Sequence, residues 1–267
     1  MSNPTPHKAR KRFGQNFLHD PGIIQRIVQV IAPQPDDNLV EIGPGQGAIT
    51  TELLPLVSQM HAIELDRDLI KPLAQRCATF GNLQIHNIDA LKFDFSQLAE
   101  PERPLRVVGN LPYNISTPLL FHLLDQSDSV KDMHFMLQKE VVDRMGADPG
   151  SKSYGRLSVM LQARAEVTPL FNIGPGAFKP APKVDSAFVR LVPHESLPYQ
   201  IDNWDHFSQV VAEAFSQRRK TLRNCLKKTM TAEAIESVGI DPGIRAESLS
   251  IEAFAKLAKL LSNPKPN

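Results

Sequence analysis

An α/β fold, with a parallel sheet of βαβ units and a small helical domain after it, is predicted by three features of this 267-residue sequence. Short apolar runs at 38–42, 60–66 and 105–109 alternate with segments of helical apolar period, the pattern of strands joined by crossover helices. A glycine-rich turn, Gly43-Pro44-Gly45-Gln46-Gly47, stands where the first of those runs ends. After Pro193 and Pro198 the strand pattern stops and only helical spacing follows.

Residues 1–12 carry His7, Lys8, Arg10, Lys11 and Arg12 with two prolines and no acid, a basic arm whose plain alternative is a solvated tail. From Asp20-Pro21 onward, Ile23, Ile24, Ile27, Val28 and Ile31 share a helical face, and Pro33 and Pro35 end it. Residues 38–42 are the first strand, and a helix follows the glycine turn from about Ala48 to near Pro55. Strands are expected at 60–66, 83–89 and 105–109, with a helix over 67–80. Apolar stretches at 133–137 and 188–192 complete the sheet, with a helix between them over Leu157, Met160, Leu161 and Arg164. Trp204, Phe207, Val210, Val211, Ala214 and Phe215 recur at helical spacing, as do 232–238 and 251–261. The expected domains are 1–196 and 197–267, without internal repeats.

Hydrophobic content of 42% and charged content of 22% are those of a soluble globular protein. A net charge of +1 makes no global case for nucleic acid or membrane, so the placement of charge must carry any such argument. Cys77 and Cys225 lack metal-ligand spacing, so no metal is expected and a reduced, cytoplasmic location fits. No apolar run reaches the ~20 residues that span a bilayer. The basic N-terminus lacks the apolar segment of a secretory signal.

The turn Glu41-Ile42-Gly43-Pro44-Gly45-Gln46-Gly47 has GxGxG spacing, not the GxGxxG of dinucleotide binders. Closely spaced glycines let a backbone approach a ligand, here one without a phosphate requirement. Glu64, near the end of the second strand, is placed to accept from both hydroxyls of a ribose. Asp89, ending the third, is placed to accept from an adenine amino group. Either acid alone is more often a solvated strand end. Together with the turn, at the carboxyl edge of a parallel sheet, they suit the nucleoside of S-adenosylmethionine, with NAD or FAD the weaker alternative.

The fourth strand delivers Asn110-Leu111-Pro112-Tyr113 to the same edge. Adenine's amine is a poor nucleophile because its lone pair is delocalised into the ring. Acceptors on its hydrogens, the Asn110 side-chain carbonyl and the Leu111 backbone carbonyl, draw the nitrogen toward tetrahedral geometry for attack on a methyl group. Pro112 fixes the backbone, and Tyr113 stacks on the base, a contact worth roughly 1–3 kcal/mol. Taken alone, the cluster also reads as an ordinary turn.

Near the C-terminus Arg218, Arg219, Lys220, Arg223, Lys227 and Lys228 cluster without an acid. On a helix they form a basic face for RNA phosphates, or simply a solvated surface. The loop Ser151-Lys152-Ser153-Tyr154-Gly155-Arg156 reads as a plain solvated loop.

The sequence resembles the small-subunit (16S) rRNA adenine dimethyltransferase family, whose bacterial branch is linked to kasugamycin sensitivity. The residues that carry the resemblance are Arg12-Phe13-Gly14-Gln15-Asn16-Phe17-Leu18, EIGPGQG, Glu64, Asp89, NLPY, Phe178-Lys179-Pro180-Ala181-Pro182-Lys183-Val184-Asp185-Ser186 and Arg218-Arg219-Lys220-Thr221-Leu222. The resemblance implies a seven-stranded, Rossmann-like class I methyltransferase sheet with a small helical C-terminal domain. It implies that Asn16, Leu18, Gly43, Glu64, Asp89 and Asn110 contact S-adenosylmethionine. It implies dimethylation of two adjacent adenines in the 3′-terminal hairpin loop of 16S rRNA, in an immature small subunit, by a monomer. Phe178, in a proline-stiffened loop, would then stack on the flipped adenine opposite Tyr113, the alternative being a buried loop anchor. Arg218, Arg219, Lys220 and Arg223 would contact RNA.

Other readings are a large-subunit adenine methyltransferase of the macrolide-resistance type, a non-catalytic ribosome assembly factor, and a nucleotide-dependent oxidoreductase. Low net charge and the RRKTLRN segment disfavour the first of these, intact Glu64, Asp89 and NLPY the second, and GxGxG spacing the third.

Overall fold

Asn38–Ile42, NLVEI, is buried at all five positions, as a strand covered on both faces must be. The computed structural model, which describes residues 15–112 and 114–262, places it in the interior of a mixed sheet. In chain order the strands are β1 (Phe17–Leu18), β2 (Asn38–Ile42), β3 (Met60–Ile63), β4 (Leu83–His86), β5 (Leu105–Asn110), β6 (Val130–Gln138), β7 (Ala165–Ile173), β8 (Phe178–Lys179) and β9 (Ser186–Pro193). Seven form one sheet, ordered β4-β3-β2-β5-β6-β9-β7, while β1 and β8 pair separately. Strands β4, β3, β2, β5 and β6 are parallel, and β9 is antiparallel to β6. Chain order reverses between β2 and β5, and a crevice opens at the carboxyl ends of strands at such a switch point.

The helices are α1 (Pro21–Ile31), α2 (Thr50–Leu53), α3 (Arg67–Cys77), α4 (Ser116–Leu124), α5 (Lys139–Met145), α6 (Arg156–Gln162), α7 (Trp204–Ala214), α8 (Leu222–Cys225), α9 (Ala232–Ser237) and α10 (Ile251–Ser262). Helix α1 begins where expected: Asp20 accepts from the Ile23 N–H, and a proline opens the first turn. The helix expected over 48–55 is shorter, because Pro55 turns its end into a 3₁₀ segment, Leu54–Leu56. Helices α4 and α5 and strand β7 add to the elements expected from sequence.

Two compact units emerge. Among the described residues, one comprises those up to Val142 together with Thr168–Pro193, and the other Asp143–Val167 with those from His194 onward. The first is cored by the sheet, with Leu39, Val107, Met133 and Phe135 fully buried. In the second, Phe207, Leu226, Phe254 and Leu257 are fully buried, and the Phe215 ring lies between Tyr154 and Phe254. Burying each such side chain stabilises its unit by about 1.5–3 kcal/mol.

At the amino ends of β5 and β6 the first unit buries a charge network. Arg106 is paired with Asp37 at 2.6 Å and Asp132 at 3.0 Å, and it also donates to the Ile31 carbonyl. Burial alone would raise the Asp37 pKa, but the Gln34 N–H and Arg106 outweigh it and hold the carboxyl below its usual range. Among the described residues no helix is long and apolar enough to cross a membrane.

Candidate active site

The turns that follow β2, β3 and β5, together with the β1 segment, enclose a cavity of about 320 Å³. The glycine turn forms one wall. Gly45 has φ +58°, which glycine adopts without strain, and a Cβ there would crowd the Phe17 ring at 3.1 Å, so glycine favours the close approach of the two segments. The Gly45 N–H donates to Glu64 Oε2 at 3.2 Å, and the Gly43 N–H donates to the Ile63 carbonyl at 2.9 Å.

Glu64 follows β3 directly and is 6% exposed. Its other oxygen, Oε1, accepts from the Asp66 N–H at 2.8 Å, so the carboxylate is held at both ends. Burial raises its pKa more than these backbone donors lower it. Asp89 does not end a strand, because β4 stops at His86. The Asn87 amide donates to the carbonyls of Glu64 and Leu65, which draws the chain out of the ladder. Asp89 then caps a short 3₁₀ turn, its Oδ1 accepting from the Leu91 N–H at 3.0 Å. It still lines the cavity with Glu64 and Gly43.

Asn110 ends β5 beside this wall. A Cβ on Gly109 would lie 2.5 Å from the Ile42 carbonyl, so glycine is what allows β5 to approach β2 at this level. The Asn110 amide nitrogen donates to the Asn16 carbonyl at 2.9 Å, which leaves Oδ1 as the acceptor end for an incoming group. The Leu111 side chain is buried, and its N–H donates to the Met136 carbonyl. Pro112 lines the cavity and accepts from the Ile115 N–H. Tyr113 lies outside the described residues.

Asn16 and Leu18 also line the cavity, and β1 brings them there. β1 pairs antiparallel with β8, Phe17 opposite Lys179 and Leu18 opposite Phe178. That pairing corrects the stacking role expected for Phe178. Its ring is 4% exposed, packs in one core cluster with Leu18, Ile173 and Phe188, and is no part of the cavity wall. Facing Leu18 across the pair turns the ring inward, so Phe178 is a buried anchor.

Four contributors escaped the sequence reading. Leu65 and Ile88, 49% and 37% exposed, line the cavity next to Glu64 and Asp89; an apolar residue beside each acid was the available signal. Glu41, 2% exposed, accepts from the Thr50 hydroxyl at 2.6 Å behind the glycine turn. Burial, reinforced by the nearby Glu64 charge and opposed by Thr50, raises its pKa to about 7. Gln15 donates to Asp66 Oδ2 at 3.1 Å and so ties the N-terminal segment to the start of α3.

The basic segment also needs correction. Arg218, Arg219 and Lys220 occupy an exposed turn, and only Arg223 stands on the four-residue α8. The backbone is diverted because the Leu222 and Arg223 N–H groups donate to the carbonyls of Ile244 and Pro242.

A family model described as "Ribosomal RNA adenine dimethylase" matches residues 6–263. The chain belongs to the ribosomal RNA adenine dimethylase family. It is a methyltransferase, and the dimethylase sheet order is the seven-stranded one expected. A relative from Marinobacter nauticus named "Ribosomal RNA small subunit methyltransferase A" is 57% identical over 263 residues, 98% of this chain and 95% of its own. One of the same name from Pseudomonas putida is 55% identical over 98% of both chains. Among solved structures, a dimethyladenosine transferase from Plasmodium falciparum matches this dimethylase with TM-score 0.76 and 29% identity, over 93% of this chain and 97% of that one. The 23S rRNA methyltransferase ErmE matches with TM-score 0.73 and 25% identity, over 92% and 100%.

Proposed function

We propose that the protein transfers methyl groups from S-adenosylmethionine to the exocyclic amino nitrogens of two adjacent adenines, dimethylating each. The proposed target is the 3′-terminal hairpin loop of 16S rRNA in the immature small subunit. The observation that carries the reading is the Asn110 amide, its nitrogen fixed by the Asn16 carbonyl so that its oxygen is the acceptor end, on the same cavity as Glu64 and Asp89.

The residues present fit this cofactor. Glu64 is a buried carboxylate held by two backbone N–H groups, and its remaining lone pairs suit paired ribose hydroxyls. Asp89 keeps Oδ2 for an adenine amino group, and Leu65 and Ile88 offer apolar contact to the faces of a base. When bound, the cofactor supplies a methyl group on a sulfonium, which leaves as a neutral thioether.

The chain's own residues act on the other reactant. Asn110 Oδ1 and the Leu111 carbonyl accept the two amine hydrogens and free the nitrogen lone pair for in-line attack. No strong base is required, since methylation itself acidifies the nitrogen before its proton departs. Pro112 holds the acceptors in place, and Tyr113 stacks on the base. Arg218, Arg219, Lys220 and Arg223 bind RNA phosphates from the helical unit.

Transfer of labelled methyl to under-methylated small subunits, with the modified nucleotide mapped, tests this reading. Label on two adjacent adenines of the 3′-terminal hairpin supports it. Label on large-subunit RNA alone, or on neither subunit, overturns it.

A further inference from the structure

The loop that precedes α6 is no plain solvated loop. Tyr154 is 2% exposed, donates its hydroxyl to the Leu249 carbonyl at 2.8 Å, and meets Phe215 edge-on. The Gly150 N–H donates to the Glu247 carbonyl at 2.6 Å, and Arg218 Nη2 donates to the Lys152 carbonyl. Three attachments therefore fix the loop while the side chains of Lys152 and Arg156 stay exposed.

Glu247 is the hub of these attachments. Its main chain holds the loop, and its carboxylate lies between Arg218, with Nε 3.4 Å from Oε2, and Arg245, with Nη1 3.9 Å from Oε1. Both arginine side chains are more than half exposed, against 28% for Glu247. Exposed ion pairs at such distances contribute little to stability, so their effect lies in geometry. A guanidinium has five N–H donors in a rigid fork, and Glu247 and Lys152 engage only some of those on Arg218. The Arg218 side chain stays 57% exposed while it is held by Glu247 and the Lys152 carbonyl, and the Lys152 side chain is exposed on the same anchored loop. One carboxylate among three cations leaves the group strongly positive.

We propose that Glu247 is a positioning residue that preforms a phosphate-binding site from Arg218, Arg245 and the anchored Lys152 loop, for the sugar-phosphate backbone of RNA. The proposal rests on the reading of the protein as an rRNA methyltransferase. It extends the RNA surface into residues 150–156, and Glu247, though anionic, favours binding of an anion.

That paradox supplies the test. Affinity of the full-length protein for a small-subunit RNA fragment is measured across a salt series for wild type, Glu247→Ala, Glu247→Gln and Lys152→Glu. A carboxylate that merely repels phosphate would, on removal, tighten binding. A positioning carboxylate has the opposite sign: Glu247→Ala weakens binding roughly fivefold to tenfold despite the gained positive charge, and Glu247→Gln, which keeps an acceptor for Arg218 Nε, retains most of the affinity. Lys152→Glu weakens binding roughly tenfold or more and lowers the magnitude of the log–log salt slope by about 0.7–0.9 for each phosphate no longer neutralised. Cofactor affinity stays at the wild-type value in all three. Equal or tighter binding by Glu247→Ala overturns the proposal, as does an unchanged salt slope for Lys152→Glu. Should Glu247→Ala lower the thermal midpoint, Lys152→Glu decides, because the Arg218 bond there uses the backbone carbonyl. Wild type that transfers no methyl to small subunits sinks the functional reading instead, whatever the variants do.

Discussion

The Asn110 side-chain nitrogen donates to the Asn16 backbone carbonyl at 2.9 Å, so residues 94 positions apart in the sequence meet over one cavity. This bond decides which end of the amide a substrate meets. Asn110→Ala removes the acceptor and lowers kcat by roughly 10²-fold or more, with RNA affinity largely intact. Asn110→Asp keeps an acceptor but sets a carboxylate oxygen against the Asn16 carbonyl, and it falls nearly as far. Single-turnover methyl transfer, measured beside RNA binding, checks both, and an equal collapse of RNA affinity would remove Asn110 from the reaction centre.

Glu41 carries a pH signature. Its folded pKa, about 7, lies above the usual carboxylate value because burial penalises the anion. The sign follows: its contribution to stability is fully present below the unfolded value and is lost as pH rises toward and through 7. The loss is on the order of 3 kcal/mol. Glu41→Gln, which still accepts from Thr50, abolishes that decline, and its thermal midpoint exceeds that of wild type above pH 7. Melting curves from pH 5 to 9 measure the difference, and parallel curves for the two proteins would contradict it.

Arg106 sits in a buried network in which each charge depends on the others. Arg106→Met leaves Asp37 with the longer pair to Lys131 and Asp132 with the longer pair to Arg190, and it costs about 3–5 kcal/mol. Adding Asp37→Asn and Asp132→Asn restores most of that. Asp37 titrates below its usual range in the folded protein, so its contribution is present above that range and is lost as pH falls through the folded value. Urea denaturation at neutral and acidic pH shows the acid-side loss in wild type and a smaller one in the triple variant.

Phe178 separates an anchor from a stacking platform. As an anchor, Phe178→Ala costs about 3–5 kcal/mol, while Phe178→Leu, an aliphatic filler, keeps transfer near wild type once folding is assured. A stacking ring predicts the reverse for leucine, with intact stability and much reduced turnover. Denaturation and turnover measured together on both variants decide.

The crevice was legible because its parts are local: the glycine turn, Glu64 after an apolar run, and Asn110 at the end of another. What was not legible required distance. β7 carries Pro169 and is mostly exposed or half-buried between Ala165 and Ile173; the proline demotes a strand in sequence yet is tolerated at the sheet edge where it lies. The helix expected for Arg218–Lys228 gives way to backbone bonds with residues 242–244, which no local periodicity contains. Asp89 is expected on a strand, but the Asn87 side chain ends the ladder early. The stiffness of its loop suggests a platform at Phe178, whereas its burial follows from a partner at the far end of the chain.

During synthesis Phe17 and Leu18 leave the ribosome early, and their partners Lys179 and Phe178 follow only after the five parallel strands have been made. Until then the β1–β8 pairing cannot help to hold the Asn16 carbonyl against Asn110. Closing so long a loop is entropically slow, which makes docking of β1 a late step in folding. A nascent chain thus holds the glycine turn, Glu64 and Asn110 in an unfinished site, and competence to transfer a methyl group arrives only when the first unit is whole.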